Sequence, residues 1–294
     1  MKAYLFPGQG SQKVGMGKDH YSSDPQFKSY VDKADQILGY SLSSLMFEGP
    51  GEELTQTQHT QPAIFVHSYA LYRVLDEKPD MVAGHSLGEF TALAAADVLH
   101  FEDALKLVSK RGELMQNAGE VNPGTMAAII GMDDEIVDQI CVEASKEAGK
   151  PVVPANYNSP GQLVISGAVE AVEKAVELAK EKGCRIAKML PVSGAFHSPL
   201  MKHVFDEFSN ALNEVEFNDP QFPVYSNVTG KPVINRNALK ENVLNQLVSP
   251  VKWTQTLKNM QANKADTFVE VGPGKVLQGL VKRTLENISI EGHE

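Results

Sequence analysis

The hydrophobic pattern of the chain alternates between short apolar runs and longer stretches of helical spacing. Short apolar runs bounded by Gly or Pro are typical of buried strands, and apolar residues that recur every three or four positions indicate helices. The alternation predicts an α/β fold whose large domain has a mostly parallel sheet and a hydrolase-like core. Strands are predicted at 3–6, 81–83, 223–227 and 267–271, and helices at 27–38, 62–75, 101–116, 200–215, 238–248, 253–260 and 276–285.

The stretch 124–193 has a different rhythm, and the Pro123-Gly124 pair marks its start. The order of its elements is β-α-β-β-α-β, which is typical of a ferredoxin-like arrangement. We therefore predict a small ferredoxin-like domain at 124–193, inserted into a large α/β domain formed by 1–123 and 194–294. Its strands are predicted at 125–131, 152–156, 162–166 and 185–192, and its helices at 134–147 and 169–182.

The segment GHSLGE at 84–89 lies between the strand at 81–83 and an Ala-rich helix that follows Leu87. This is the G-x-S-x-G pattern of a nucleophile elbow, a sharp strand-to-helix turn that exposes the hydroxyl of its serine. A Gly-flanked serine in an ordinary connection is the alternative, but the strand before and the helix after favour a nucleophile. We predict that Ser86 is the nucleophile and that the Leu87 N–H, an unpaired donor at the helix start, stabilises an oxyanion.

The first predicted strand runs into the glycine-rich loop PGQGSQ at 7–12. A dinucleotide-binding loop is disfavoured because Lys13 stands where the third glycine of G-x-G-x-x-G belongs, and no acid ends a second strand about twenty residues later. Glycine also permits a close backbone approach. The loop therefore predicts a second oxyanion donor opposite Ser86, the N–H of Gln9.

Arg111 falls on the apolar stripe of the helix predicted at 101–116. A buried arginine is costly unless it is paired, so it needs a carboxylate, either an internal acid or that of a ligand. An ion pair with a neighbouring Glu, or a side chain that reaches solvent, is the structural alternative. The guanidinium fork suits a substrate carboxylate, which makes Arg111 a candidate binding residue beside a nucleophile.

His197 is the best-placed candidate for the base, because it stands on the loop that follows the last strand of the small domain. His203 lies on the next predicted helix, and His293 lies in a tail predicted to be frayed. No Asp or Glu presents itself as the third member of a triad. Gln246 lies in the last turn of a helix that must stop before Pro250, and its unpaired backbone carbonyl is predicted to orient the imidazole.

Composition narrows the class of protein. The 294 residues carry a formal net charge of −10 and no run of Lys or Arg, which argues against a nucleic-acid binder. The two cysteines, Cys141 and Cys184, form no C-x-x-C pair, so neither a disulfide framework nor a zinc site is expected. There is no apolar stretch of about 18 residues and no leader-like region at the N-terminus. We expect a soluble cytoplasmic protein that contacts no membrane.

Six segments, in the same order and over nearly the whole chain, resemble the motifs of the malonyl-CoA:acyl carrier protein transacylases, an acyltransferase family of fatty acid and polyketide synthesis. The resemblance implies an acylated Ser86, a base at His197 and an Arg111 that binds the malonyl carboxylate. It also implies an oxyanion hole of the Gln9 and Leu87 N–H groups and an imidazole oriented by the Gln246 carbonyl. The segments are FPGQGSQ at 6–12, GHSLGE at 84–89, KRG at 110–112, NYNSPGQ at 156–162, GAFHS at 194–198 and EVGPG at 270–274.

Three further residues are candidates for substrate binding. Asn156 and Asn158 are placed to line the cleft between the two predicted domains, with turn formation as the alternative for each. Phe196 precedes the histidine in the GAFHS segment. That segment is similar to the malonyl-selective version of the family, which implies that Phe196 shapes the acyl pocket.

The resemblance implies a ping-pong transfer of malonyl from malonyl-CoA to the phosphopantetheine thiol of holo acyl carrier protein, through a malonyl-serine. It implies no metal and no cofactor besides the two substrates, and we expect a monomer. A trans-acting polyketide acyltransferase, a serine thioesterase or hydrolase, and a non-catalytic carrier-binding module remain as alternatives. The resemblance also implies an acidic carrier protein, and since this chain is acidic too, a local basic patch at the cleft rim is expected to bind the carrier, with Lys202 as a candidate.

Overall fold

The computed structural model of the protein describes residues 1–192 and 194–294, apart from the side chain of Glu120. It contains two sheets, and their strands alternate with helices along most of the chain. The strands are β1 (Lys2–Phe6), β2 (Met81–Gly84), β3 (Gly124–Ile130), β4 (Val152–Ser159), β5 (Gln162–Ala168), β6 (Ile186–Met189), β7 (Val224–Tyr225), β8 (Pro232–Val233), β9 (Thr267–Val271) and β10 (Ser289–His293).

The helices cover both faces of the larger sheet. Two 3-10 helices, Pro199–Val204 and Gln246–Val248, continue directly into or out of an α-helix. The α-helices are α1 (Lys18–Ser23), α2 (Pro25–Leu38), α3 (Leu42–Glu48), α4 (Gly51–Leu54), α5 (Thr57–Leu75), α6 (Gly88–Ala95), α7 (Phe101–Val121), α8 (Asp134–Ala148), α9 (Val169–Glu181), α10 (Phe205–Asn213), α11 (Arg236–Asn245), α12 (Trp253–Ala262) and α13 (Val276–Thr284).

The larger sheet has the strand order β10-β9-β1-β2-β7-β8. The strands from β10 to β7 run parallel to their neighbours, and β8 pairs antiparallel with β7. In β1, Tyr4 and Phe6 join the core on one face, while Ala3 and Leu5 join the core that α12 and α13 form on the other. An apolar strand without alternation is thus explained by burial on both faces, as parallel sheets require. The predicted α/β class with a mostly parallel sheet is confirmed.

The smaller sheet is antiparallel and has the order β4-β5-β3-β6. Helices α8 and α9 pack together, and their apolar residues form with this sheet a separate core that includes Val137, Ile140 and Val172. The element order from β3 to β6 is β-α-β-β-α-β, as the sequence predicts. The division into a domain of 124–193 and a second of 1–123 and 194–294 stays a prediction, and Ser193 lies outside the described residues.

Several element boundaries differ from the sequence prediction. Helix α5 begins at Thr57 and contains Pro62, and the helix predicted at 200–215 is a 3-10 helix followed by α10. The tail predicted to be frayed is strand β10, and it contains His293. Its backbone pairs with β9, and the Ser289 N–H donates to the Asp266 carbonyl at 2.7 Å. An exposed edge strand needs few apolar side chains, so its sequence gave little signal.

The parallel pairing of β1 and β2 positions the site. Phe6 is paired with Gly84, so the loop after β1 and the turn after β2 leave the same edge of the sheet side by side. Loops at the carboxyl ends of parallel strands are where α/β proteins place their ligands. In the described part of the chain, no helix has both the length and the apolarity needed to cross a membrane.

Candidate active site

The turn between β2 and α6 holds Ser86 in a strained conformation. Its φ is +51°, in the left-handed region that a residue with a side chain rarely adopts. The glycines on either side are required by close contacts: a Cβ on Gly84 would overlap the backbone of Gly88, and one on Gly88 would overlap the Phe6 carbonyl. Asn227 fixes the turn, because its Oδ1 accepts from the Ser86 N–H at 2.7 Å and its Nδ2 donates to the Gly84 carbonyl at 2.7 Å.

His197 links Ser86 to Gln246. Its Nε2 lies 2.8 Å from the Ser86 Oγ, and its Nδ1 lies 2.8 Å from the backbone oxygen of Gln246. A carbonyl only accepts hydrogen bonds, so the proton of the neutral imidazole is on Nδ1 and the lone pair of Nε2 faces the hydroxyl. Burial, with a smaller effect of the Arg111 charge, lowers the pKa of His197 to about 3. The imidazole is therefore neutral at physiological pH and able to accept the serine proton.

Arg111 extends from α7 to the same hydroxyl and is 1% exposed. Its Nη1 donates to the Gln61 Oε1 at 2.7 Å, and its Nη2 donates to the Gln246 Oε1 at 2.8 Å and to the Ser86 Oγ at 3.2 Å. Burial lowers its pKa to about 10, against the opposing effect of Glu89, so the guanidinium stays charged at neutral pH. Within the described residues it forms no ion pair, and its Nε has no hydrogen-bond partner. The internal acid that acts on Arg111 is Glu89, and the Gln246 amide lies between the two.

Three residues beneath this group were missed by the sequence prediction: Gln61, Glu89 and Asn227. Glu89 is fully buried, and its Oε2 accepts from the Gln246 Nε2 at 2.5 Å and from the Asn227 N–H at 3.3 Å. Burial raises its pKa to about 7, although these hydrogen bonds and Arg111 oppose the shift. The sequence signal for Glu89 was the presence of an acidic residue in the Ala-rich run after the elbow. Gln61 and Asn227 gave none, because each reaches the site from a remote part of the chain.

The two residues of the predicted oxyanion hole line the same cavity as Ser86. Leu87 precedes the first residue of α6, and Gln9 lies on the loop after β1, where its side-chain Nε2 donates to the Thr57 Oγ1 at 3.2 Å. In the described part of the chain, neither the Leu87 N–H nor the Gln9 N–H donates to a protein acceptor. Two unpaired N–H groups beside a nucleophile are suited to hold a developing negative charge.

A cavity of about 440 Å³ opens above Ser86. The oxyanion donors and the candidate binding residues line it together with Ser86, whereas Gln246 lies behind them. Asn156 and Asn158 belong to strand β4, so the turn beyond them falls at 160–161. The Asn158 Oδ1 accepts from the His85 Nε2 at 2.8 Å, which joins the smaller sheet to the elbow. The sequence-predicted residues on the cavity wall are Gln9, Ser86, Leu87, Arg111, Asn156, Asn158, Phe196 and His197.

The arrangement is suited to acyl transfer through a serine ester. It combines a hydroxyl, a neutral imidazole that hydrogen-bonds to it, unpaired N–H donors and a buried guanidinium that donates to the same hydroxyl. Among the residues that the structure describes, no group of three or more His, Cys, Asp or Glu side chains could hold a metal ion.

Comparison with known proteins gives consistent results. The model of the acyl transferase domain family matches residues 3–292. The malonyl CoA-acyl carrier protein transacylase of Bacillus subtilis (strain 168) is 46% identical over 298 residues, 99% of this chain and 94% of that protein. The protein of the same name from Escherichia coli (strain K12) is 45% identical over 291 residues, 98% of this chain and 94% of that protein.

Solved structures agree over the whole fold. An acyl carrier protein S-malonyltransferase from Vibrio cholerae O1 biovar eltor has a TM-score of 0.96 and 44% identity, covering 100% of this chain and 96% of its own. A malonyl-transacylase in complex with its type II PKS acyl-carrier protein has a TM-score of 0.95 and 41% identity, covering 99% and 95%.

Proposed function

The chain belongs to the acyl transferase family, among the malonyl CoA-acyl carrier protein transacylases, and we propose that it transfers malonyl from malonyl-CoA to the phosphopantetheine thiol of an acyl carrier protein. One observation carries the proposal: the buried guanidinium of Arg111 lies 3.2 Å from the Ser86 hydroxyl, in the same cavity. A fixed cation beside the nucleophile favours an acyl group that ends in a carboxylate, as malonyl does. An uncharged acyl group would leave that cation without a counter-charge.

The first half-reaction acylates Ser86. His197 accepts the hydroxyl proton at Nε2 while the Oγ attacks the thioester carbonyl carbon. The N–H groups of Leu87 and Gln9 bind the oxyanion, and each such donor contributes about 3 kcal/mol to lowering the barrier. As the oxyanion collapses, the C–S bond breaks and the CoA sulfur leaves with the proton from His197. The malonyl group is then an ester of Ser86.

The second half-reaction transfers the malonyl group from Ser86 to the carrier by the same steps. The phosphopantetheine thiol gives its proton to His197, and its sulfur attacks the ester carbonyl. The Ser86 Oγ leaves and recovers the proton. The Gln246 carbonyl keeps Nδ1 protonated throughout, and Arg111 holds the malonyl carboxylate in both halves. Phe196, Asn156 and Asn158 shape the wall around the acyl and pantetheine groups. The chemistry needs no cofactor beyond the two substrates.

The acceptor that we propose is the carrier protein of fatty acid synthesis, in a monomeric enzyme of the cytoplasm. A polyketide carrier is the second candidate, because one similar structure is a complex with a type II PKS carrier protein. Transfer rates to purified holo carriers of the two kinds separate these acceptors. A faster rate to the polyketide carrier would overturn the fatty acid assignment.

Intact-mass measurement after brief exposure to malonyl-CoA tests the reaction. We expect a malonyl adduct on the wild-type protein, none on Ser86→Ala, and rapid loss of the adduct when holo carrier protein is added. An adduct that water clears as fast as the carrier does would identify a thioesterase or hydrolase instead. No adduct on a folded wild-type protein would overturn catalysis and favour a carrier-binding role.

The Arg111→Ala variant tests the role of the cation. We expect acylation by malonyl-CoA to slow by about a hundredfold, the effect of losing charged hydrogen bonds to the carboxylate, while acylation by acetyl-CoA is kept or gained. Initial rates of adduct formation with each thioester give the comparison. Equal losses with both substrates would show that Arg111 is not the carboxylate-binding residue.

A further inference from the structure

Glu89 is a fully buried carboxylate that the proposed transfer does not use. It stands on α6, one turn after Ser86. Its Oε1 has no hydrogen-bond partner among the described residues, and its Oε2 accepts from Gln246 and Asn227. Burial makes this carboxylate costly to ionise and raises its pKa to about 7, so it carries its charge above that pH. Its hydrogen bond with Gln246 connects it to Arg111 in the acyl site.

The side-chain amide of Gln246 lies between Glu89 and Arg111. Its Nε2 donates to the Glu89 Oε2, and its Oε1 accepts from the Arg111 Nη2 at 2.8 Å. An ionised carboxylate can only accept hydrogen bonds and a guanidinium can only donate them. Only one orientation of the amide satisfies both neighbours, with its NH₂ toward Glu89 and its oxygen toward Arg111. The same Nε2 also donates to the Ser86 carbonyl at 3.1 Å, but Glu89 is the closer acceptor and the one that carries charge, so a neutral group at position 89 weakens the hold on this orientation.

We propose that Glu89 is a positioning residue for the acyl carboxylate: it fixes the side-chain amide of Gln246, and through it the Arg111 guanidinium, in the orientation that faces the acyl group on Ser86. The inference rests on the proposed malonyl transfer and assigns to Glu89 part of the selectivity for malonyl over uncharged acyl groups. The Glu89 charge also favours the protonated form of Arg111. Arg111 is thus held by an amide on each of its two terminal nitrogens, Gln61 at Nη1 and Gln246 at Nη2.

The same geometry predicts that Glu89 acts on selectivity more than on the serine chemistry. His197 is oriented by the backbone oxygen of Gln246, not by its side chain. Turning the side-chain amide leaves that backbone contact in place. Glu89 also accepts from the N–H of Asn227, which fixes the Ser86 turn, so a Glu89 variant should slow acylation by acetyl-CoA, but by a smaller factor than acylation by malonyl-CoA.

The test compares Glu89→Gln with Glu270→Gln as a matched control. Glu270 is a second buried glutamate, and it accepts from the N–H groups of Leu277 and Gln278 at the start of α13, away from Arg111. Initial rates of adduct formation are measured with malonyl-CoA and acetyl-CoA by intact mass at about pH 8, where Glu89 is ionised. We expect the malonyl-to-acetyl rate ratio to fall by about tenfold in Glu89→Gln and to stay at the wild-type value in Glu270→Gln.

Glu89→Asp provides a second variant, because it keeps the charge but withdraws the oxygens by one methylene group. Its ratio should fall by less than that of Glu89→Gln. A wild-type ratio in both Glu89 variants, or equal slowing with both thioesters, would overturn the positioning role. A wild-type protein that forms no malonyl adduct would instead overturn the proposed function. Thermal unfolding of each variant identifies any loss that is due to misfolding.

Discussion

Two residues in the left-handed region of backbone conformation carry the reacting groups. Ser86 has a φ of +51° and His197 a φ of +57°. Such a conformation costs on the order of 1–3 kcal/mol per residue, so it persists only where the surroundings hold it. Asn227 holds the turn of Ser86, and the Gln246 carbonyl and Ser86 hold the ring of His197. The strain is compensated by contacts that also align the two side chains.

The pKa of His197 leads to a prediction about pH. Because burial lowers it to about 3, lowering the pH through the ordinary imidazole range should leave Nε2 unprotonated. We expect the rate of Ser86 acylation by malonyl-CoA to show no histidine-like loss between about pH 8 and about pH 5. Rapid-quench intact-mass kinetics across this range measure it, with thermal unfolding at each pH as the control for folding.

Glu89 is the one group of this network whose pKa, about 7, falls inside that range, so Glu89→Gln is the matched variant for the pH profile. Because Glu89 becomes neutral below about pH 7, malonyl acylation in the wild type should fall as the pH drops through that value, and Glu89→Gln should remove this inflection. An inflection near pH 6.5 that persists in Glu89→Gln would contradict the lowered pKa of His197.

At the scale of elements, the sequence predicted those parts whose signals are local. The strand, turn and helix around Ser86 are encoded within about twenty residues, by an apolar run, two glycines and an Ala-rich stretch. The short strands β8 and β10 were missed, because little apolar burial marks them, and the first part of the helix predicted at 200–215 is a 3-10 helix.

The contacts of the site also divide into those that have a local sequence signal and those that do not. The contact of the Gln246 backbone with His197 follows from the position of its carbonyl in the last turn of a helix, which a sequence reveals. The contact of its side chain with Arg111 joins positions 135 residues apart, so tertiary packing alone determines it. The contact of Arg111 with Gln61 likewise joins positions 50 residues apart.

The close packing of the elbow gives a prediction for this element. In Gly88→Ala the new Cβ would overlap the Phe6 carbonyl, and we expect overpacking to lower the free energy of unfolding by about 1–3 kcal/mol. Gly279→Ala, in α13, is the matched control, because its Cβ meets no atom within 4 Å. That variant should gain about 0.5–1 kcal/mol from helix propensity. Urea unfolding of both tests the contrast, and equal effects would contradict the close-contact explanation.

At the scale of the molecule, the balance of charge bears on how a carrier protein approaches. The chain has a net charge of −10, so a basic contact surface has to be local. Helix α13 lies beside the cavity and lines it with Val276, Leu277 and Leu280. Near its end, the exposed Arg283 donates to the Gln162 Oε1 at 2.6 Å, and Gln162 lines the cavity. Lys202, the candidate from the sequence, is exposed on the 3-10 helix at 199–204.

Arg283 is therefore the better-placed cation for an acidic carrier, and the two half-reactions of a ping-pong enzyme allow a direct test. In Arg283→Glu we expect transfer from malonyl-Ser86 to holo carrier protein to slow by about tenfold, because a rim charge acts mainly on the rate of association. Acylation by malonyl-CoA should keep its wild-type rate. Lys202→Glu serves as the matched charge reversal on another element, with a smaller effect expected.

Added salt should slow carrier transfer in the wild type and have less effect in Arg283→Glu, since screening acts on the charge pair that the variant has lost. If Lys202→Glu slows carrier transfer more than Arg283→Glu does, the carrier approaches over the 3-10 helix and the assignment to α13 is wrong.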